Sequence, residues 1–292
     1  MTLPDRVEVA VVGGGPAGAQ CVLWLTKLGI DCLLLEPGTL GGLQARSPFT
    51  NSWLAVVQAT TAARSVARNI EDNLSAQGCR VAGERCTAVS ASPDGFALTL
   101  AGGGTLSAGT VVLATGTRER TGGLESLPGV EIGLVGTAAL DDIGGRDVVI
   151  LGGGDAACEA HAILSARDPA SLHLFARTRR ARDDLWDAIP AAHRHTGAYM
   201  IEDGAVHWSG GAHRFDRALV CYGWAPAVPT LPGTIETDAA GHLVVDAVCR
   251  TNLPGLYAVG DVNGRGYPCV ATALADGVIV AKDIERRRGG TT

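Results

Sequence analysis

The sequence predicts an α/β chain of two three-layer domains, the second inserted in the first, and three observations predict it. The first is the run Val9-Ala10-Val11-Val12-Gly13-Gly14-Gly15-Pro16-Ala17-Gly18. The second repeats that pattern as Val148-Val149-Ile150-Leu151-Gly152-Gly153-Gly154-Asp155-Ala156-Ala157. The third is a late apolar run ending Ala258-Val259-Gly260-Asp261. Both glycine runs read G-x-G-x-x-G/A between a buried-looking strand and a helix. That turn lets backbone N–H groups approach a pyrophosphate at a helix N-terminus. Two copies in this context describe two Rossmann-like units, each holding a dinucleotide.

Bulk composition bounds the function. The chain has 292 residues, 46% of them apolar and 18% charged, enough for two cores. No run approaches the roughly 20 apolar residues of a membrane span. A net charge of −6 gives a nucleic-acid partner no electrostatic support. A strand beginning near Val7 leaves no room for a secretory signal, so a cytoplasmic setting with eight reduced cysteines is expected. No two of those cysteines form C-x-x-C, and no metal site is expected. His193 and His195, flanking one residue in a polar stretch, read as a solvated loop.

The first unit is justified element by element. Val7–Val12 is a strand, Ala17–Leu28 a helix closed by Gly29, and Cys32–Leu35 a second strand ending at Glu36. An acid at that strand end accepts hydrogen bonds from adenosine ribose hydroxyls. Thr110–Ala114 is a further strand, followed by Thr115-Gly116. Asp261, at the end of the late strand, is placed to bind a ribityl hydroxyl. A helix then runs from about Ala271 to Arg286. Its N-terminus, near Val270 and Ala271, directs its positive end at the carbonyl of a reduced flavin. The first dinucleotide is therefore expected to be FAD.

With these motifs in order along nearly the whole chain, the sequence resembles the two-domain FAD/NAD(P)-dependent pyridine nucleotide-disulfide oxidoreductases, in their thioredoxin-reductase-like branch. The resemblance implies that Gly41-Gly42-Leu43-Gln44 is a flavin loop, with Gly42 and Gln44 as contacts, and that Asn51 is a further contact. Trp53 has two readings, a ring on the flavin or a plug in the core. The FAD set is then Gly13, Gly15, Pro16, Ala17, Gly18, Glu36, Gly42, Gln44, Asn51, Gly116, Gly260, Asp261, Val270 and Ala271. The resemblance also implies a homodimer.

The second unit has Asp147–Leu151 as a strand, Ala156–Ser165 as a helix and Leu172–Ala176 as a second strand. Where the first unit has Glu36, this one has Arg177, Arg179, Arg180 and Arg182. Arginines there favour the 2′-phosphate of NADPH, whereas a solvated basic loop is the simpler alternative. The resemblance matches Arg177 and Arg182 to the family's arginines. The nicotinamide-nucleotide set is Gly152, Gly154, Asp155, Ala156, Arg177 and Arg182. The unit closes with a strand at Ala218–Cys221 and crosses back through Tyr222-Gly223-Trp224-Ala225-Pro226. The stretch from Arg182 to Tyr222 is short for the family, which suggests a trimmed hairpin. The FAD domain is expected at 1–116 and 245–292 and the second domain at 117–244, with hinges near Thr117 and Gly241.

The resemblance also fixes what is missing. Relatives carry a redox-active C-x-x-C followed by an acid just before the second glycine strand. Here that segment falls on Val135-Gly136-Thr137-Ala138-Ala139, without a thiol or an acid. A flavin-to-disulfide relay through such a pair cannot run without thiols. Cys32, Cys221 and Cys249 read as core residues, and Cys21 and Cys158 lie within helices. Cys269, just before the last helix, is the one weak candidate for a catalytic side chain. The leading expectation is an FAD-dependent NAD(P)H oxidoreductase with an unknown acceptor, a small molecule or a small redox protein. Three alternatives stay open: a single-cysteine thiol oxidoreductase, a ferredoxin-linked flavoprotein, and a non-catalytic flavin protein with a vestigial second domain.

Overall fold

The first strand, β1 (Arg6–Val12), feeds two cores, Val9 and Val11 into one and Val7, Ala10 and Val12 into the other. A strand covered on both faces has to be apolar almost throughout, which explains the unbroken Val-Ala-Val-Val before the turn. In the computed structural model, which describes residues 3–290, the chain forms two compact units. One takes the chain up to Arg118 and again from Ala225; the other is Glu119–Trp224.

In the first unit β1 leads through the glycine turn into α1 (Pro16–Lys27) and β2 (Cys32–Leu35). Then come α2 (Leu43–Arg46), α3 (Ala63–Ala76) and β3 (Val81–Ala82). A meander of β4 (Cys86–Ser92), β5 (Gly95–Leu100) and β6 (Thr105–Leu113) follows. The sheet order is β3-β2-β1-β6-β5-β4, parallel from β3 to β6 and antiparallel beyond. The chain leaves through β7 (Thr117–Glu119).

The second unit holds β8 (Val130–Ile132), α4 (Gly133–Ala139), β9 (Asp147–Leu151), α5 (Asp155–Ser165) and β10 (Ser171–Ala176). After α6 (Asp183–Asp187) and β11 (Arg194–Thr196), three strands form an antiparallel sheet: β12 (Tyr199–Glu202), β13 (Ala205–Trp208) and β14 (Gly211–Arg214). β15 (Arg217–Val220) completes a parallel sheet of order β11-β10-β9-β15-β8. The stretch expected to be trimmed thus still carries a full three-stranded sheet. Its Tyr199 and Val206 share a core with Val149, Leu151 and Phe175 of the parallel sheet.

The chain returns along β16 (Trp224–Pro226), then adds β17 (Leu256–Ala258) to β6 and ends in α7 (Val270–Arg288). This return lies at Trp224–Ala225, earlier than the expected boundary at 244. The reason is packing: Val228, Leu231, Ile235 and Leu243 join the core of Val12, Leu35 and Leu113, and Thr230 bridges Ala88. Gly241 accordingly lies inside the first unit. Trp53 is 83% exposed, which rules out the second of its two readings, a plug in the core. No helix among the described residues is long and apolar enough to cross a membrane.

α7 and α1 meet at a glycine, since a Cβ on Gly277 would lie 2.5 Å from the Ala17 carbonyl oxygen. Beyond that contact Asp283, almost wholly buried, accepts both guanidinium hydrogen bonds of Arg250 (2.6 and 2.8 Å), one from Arg286 (2.6 Å) and one from the Tyr257 hydroxyl (2.8 Å). Burial pushes its carboxyl up, but those bonds outweigh burial and hold it at about 2. A depressed carboxylate contributes stability fully above its unfolded value of 3.8, and loses it as pH falls through about 2. Asp283→Ala should lower the urea-unfolding free energy of the first unit by about 3–5 kcal/mol at neutral pH, by stranding the buried partners. The variant should also lose stability less steeply on acidification. A cost under about 1 kcal/mol would show that the cluster is incidental.

Candidate functional site

Both glycine turns sit at the carboxyl ends of parallel strands, where open α/β sheets bind ligands. In the first unit Gly13 has φ +106°, and a Cβ there would lie 2.4 Å from the Ala114 carbonyl oxygen. A Cβ on Gly18 would lie 2.0 Å from the Gly13 oxygen. These two positions are glycine because the backbones touch. Gly15 is different: a Cβ there would meet nothing within 4 Å. It is the N-cap of α1, with Pro16 following and no side chain capping the first turn. The N-terminal N–H groups therefore face open space, ready for an anion.

The sequence-expected residues gather around this opening. Glu36 accepts the Gly14 N–H (2.7 Å) on one carboxylate oxygen and the Gly38 N–H (2.8 Å) on the other. Its remaining lone pairs stay available to hydroxyl donors. Gly42 stands over the turn, a Cβ on it lying 3.0 Å from the Gly15 Cα. Asn51 donates its amide to the Gln44 side-chain oxygen at 2.7 Å, joining two of the residues expected to contact the flavin. Gly260 touches α1, since a Cβ on it would lie 3.0 Å from the Ala17 Cβ. Gly116 takes φ +63° at the end of the β6 strand run.

Two polar groups here lack partners. The Thr115 hydroxyl is buried with no hydrogen bond, and the half-buried Asp261 carboxylate is met by no donor among the described residues. Burial pushes Asp261 up, assisted by Asp276, while His242 opposes. Buried polar groups are normally satisfied, so the Thr115 hydroxyl marks a place for a bound group, and the half-buried Asp261 carboxylate is free to accept a hydroxyl. Together with the Gly15 opening they fit a flavin dinucleotide with a hydroxylated side chain.

The sequence reading missed the support beneath Asp261. Asp276 of α7, buried, accepts the Gly260 N–H (3.0 Å), the Asn263 amide (3.2 Å) and Arg265 (2.7 Å). A lone acid inside the apolar run Ala273-Leu274-Ala275-Asp276-Gly277-Val278-Ile279 was the available signal. Val270 and Ala271 open α7, and Cys269 is its exposed N-cap. Hydrogen bonding from Thr272 holds the Cys269 thiol below its usual range.

In the second unit Gly152 is pressed on the neighbouring strand end, a Cβ on it lying 2.3 Å from the Cys221 oxygen. A Cβ on Gly154, the N-cap of α5, would meet nothing within 4 Å. A cavity of about 550 Å³ opens there, lined among others by Gly154, Ala156, Leu134, Arg180, Cys221 and Tyr222. Its size suits a small ligand. The arginines divide. Arg182 is held by Asp155, to which it donates from its backbone N–H (2.9 Å) and its Nε (3.1 Å). Arg177 lies over the rings of Tyr199 (5.2 Å) and Tyr222 (6.0 Å), whose hydroxyls are hydrogen-bonded at 3.0 Å. Arg180 lines the cavity and has no ion-pair partner among the described residues.

The segment 135–139, expected to stand where relatives carry a dithiol, lies in α4. Glu119 accepts the Leu134 N–H at 2.6 Å, Val135 is 46% exposed, and Thr137 is buried. The nearest thiol lining the cavity is that of Cys221. Burial, with Glu119 and Cys158 adding, pushes it up to about 12, a protonated and inert state. His193 and His195, expected in a solvated loop, are half-buried among other rings. No three histidine, cysteine or carboxylate groups among the described residues are arranged to hold a metal ion.

Residues 7–277 match the family model of pyridine nucleotide-disulphide oxidoreductases. The chain belongs to that family. Among curated relatives it is 24% identical to a thioredoxin reductase of Listeria monocytogenes, covering 96% of this chain and 93% of that one. It is 26% identical to an NADH dehydrogenase of Bacillus subtilis, over 95% of this chain and 58% of that one. Among solved structures the T. acidophilum thioredoxin reductase superposes with a TM-score of 0.83 at 20% identity, covering 98% and 99% of the two chains. A bacillithiol disulfide reductase of Staphylococcus aureus superposes with 0.82 at 17% identity, covering 98% and 100%. These structures share the fold of the thioredoxin-reductase-like branch. The pyridine nucleotide-disulphide oxidoreductase described here is thus an enzyme of flavin and nicotinamide chemistry.

The glycine geometry makes a sharp prediction. Gly15→Ala places a Cβ in the opening with no protein atom within 4 Å, so folding should persist while FAD content, read from visible flavin absorbance, drops by about tenfold or more. Full flavin content in the folded variant would contradict the assignment.

Proposed function

We propose that this enzyme takes reducing equivalents from NADPH through FAD and delivers them to an acceptor other than its own dithiol, so that it does not reduce thioredoxin by the relay of its relatives. The observation that carries this reading is the sequence, which has no C-x-x-C; counting back from Gly152 puts Val135 and Ala138 of α4 where the resemblance expects the dithiol. FAD, when bound, supplies hydride acceptance and onward electron transfer. The protein supplies binding and orientation.

In this reading Glu36 holds the adenosine ribose, and Gly13, Gly15, Pro16, Ala17 and Gly18 receive the pyrophosphate at the α1 N-terminus. Gly42, Gln44, Asn51 and Gly116 border the flavin. Asp261, carried by Gly260 and braced by Asp276, accepts a ribityl hydroxyl. The α7 N-terminus at Val270 and Ala271 faces the ring with its positive end. In the second unit Gly152, Gly154, Asp155 and Ala156 form the turn for the nicotinamide dinucleotide. Arg180 is the arginine we assign to the 2′-phosphate, because Arg182 already serves Asp155 and Arg177 rests on two tyrosines. The acceptor is a small molecule or small redox protein. A homodimer is supported by the resemblance alone, and the eight unpaired cysteines suit a reducing cytoplasm.

One observation favours a second reading. The Cys269 thiol is exposed, depressed by Thr272 and set at the helix end assigned to the flavin, which suits a single-cysteine thiol oxidoreductase. Cys269→Ser separates the two. Unchanged turnover with NADPH and an artificial electron acceptor supports the main reading, whereas loss of thiol-dependent turnover with flavin reduction intact supports the second.

The donor is tested by anaerobic mixing with NADPH or NADH, following flavin bleaching. NADPH should bleach the flavin faster at equal concentration, and Arg180→Gln should lower that preference by about 10- to 100-fold, the value of a charge-assisted contact. Arg182→Gln should change it less. Bleaching by neither nucleotide would overturn NADPH as the donor.

A further inference from the structure

Four of the seven histidines converge in the second unit, on chain segments that the sequence keeps apart. His173 of β10 lies at the centre, with ring centroids 4.3 Å from His213 of β14, 5.0 Å from His193 and 5.2 Å from His195 of β11. A hydrogen bond joins His173 Nδ1 and His195 Nε2 at 3.0 Å. Trp208 of β13 stands 4.9 Å from His195 and 5.0 Å from Phe175. These rings continue the apolar contact of Phe175, Tyr199 and Val206, by which the β12–β14 sheet packs on the parallel sheet.

The cluster is short of negative charge. Ser171 donates to Asp147 of β9 at 2.5 Å and pairs with His213 at 3.4 Å, and Asp216 is taken by the Asp147 N–H. Arg194 of β11 pairs with Asp187. His161 of α5 is buried with its Nε2 unpartnered and is electrostatically coupled to His193. His207 of β13 and the exposed Arg214 of β14 alternate in register with Trp208 and His213, away from the shared face. Asp147 is therefore the nearest acid and opposes several imidazoles alone. No three of these groups are arranged to hold a metal ion.

We propose that His173 and His195, packed against the rings of His193 and His213, form an acid-sensitive latch, holding the β12–β14 sheet on β10 while neutral and releasing it when they take up protons. Burial first, then His213, His195 and His193, hold His173 down at about 4, and burial holds His195 below its usual range. Both would bind protons near 6.5 when released. Such depressed histidines stabilise the closed form above that value, and each weakens it about tenfold per pH unit below it, down to its closed-state pKa. Release would also withdraw Tyr199, which supports Tyr222 in the cavity wall and carries Arg177. That second consequence rests on the cavity being the nucleotide site; the latch itself does not.

The test is hydrogen exchange on the full-length protein, corrected for intrinsic rates, followed from about pH 7 to about pH 4.5. Protection of 199–214 should fall at least about tenfold while 105–113 and 270–288 keep theirs, and the double variant His173→Gln/His213→Gln should flatten the fall. Histidine proton resonances of the wild type give a reading independent of any variant: at least one should titrate below about 5. Unchanged protection of 199–214, an equal fall in both units, an equal fall in the variant, or all histidines titrating near 6.5 would each overturn the latch. If 199–214 opens as expected but binding of adenosine 2′,5′-bisphosphate does not weaken in step, the latch stands and the cavity assignment fails.

Discussion

In each unit the end of one parallel strand is pressed against the backbone of its neighbour at a residue without a side chain. A Cβ on Gly13 or on Gly152 would sit within 2.4 Å of a carbonyl oxygen across the sheet. Everything at the two sites depends on that contact. It folds the chain sharply enough for α1 and α5 to begin beside the strand ends, and it leaves Gly15 and Gly154 facing open space. A helix N-terminus is attractive to phosphate only if nothing of the protein covers it, and these two are uncovered. Gly277 extends the same logic to α7, which approaches α1 closely enough to bring the Gly260-Asp261 turn to Ala17.

Charge pairing then decides which polar groups remain available. Arginines are numerous around the second turn, yet most are occupied: Arg179 with Asp183, Arg182 with Asp155, Arg194 with Asp187. Arg180 is left facing the cavity. In the first unit Asp276 and Asp283 are both acids of α7, but each is met by arginine and serves the fold. Asp261, beside them, is met by no donor among the described residues and is the acid with chemistry to spare.

Strand, turn, helix and acid were legible because they are local. Valine runs, three glycines and Glu36 lie within 30 residues, and their spacing alone builds a βα unit. The absence of a C-x-x-C was legible for the same reason, from cysteine spacing alone. What escaped was set by distance in sequence. The return at Trp224 depends on Leu231 and Leu243 packing against β-strands more than 100 residues earlier. The histidine cluster joins residue 173 to residue 213 across a sheet-on-sheet contact that no local pattern encodes. Which arginine is free depends on where Asp155 points, a fact of side-chain geometry rather than of motif.

The central claim is that a flavin works here without a protein dithiol beside it. Anaerobic titration of the FAD-loaded enzyme with a two-electron chemical reductant, counting equivalents per flavin, tests it directly. A lone flavin takes up a single equivalent before reductant accumulates, and that is the predicted end point. Uptake of a second equivalent per flavin, accompanied by the appearance of titratable thiols, would reveal a redox-active disulfide and contradict the account.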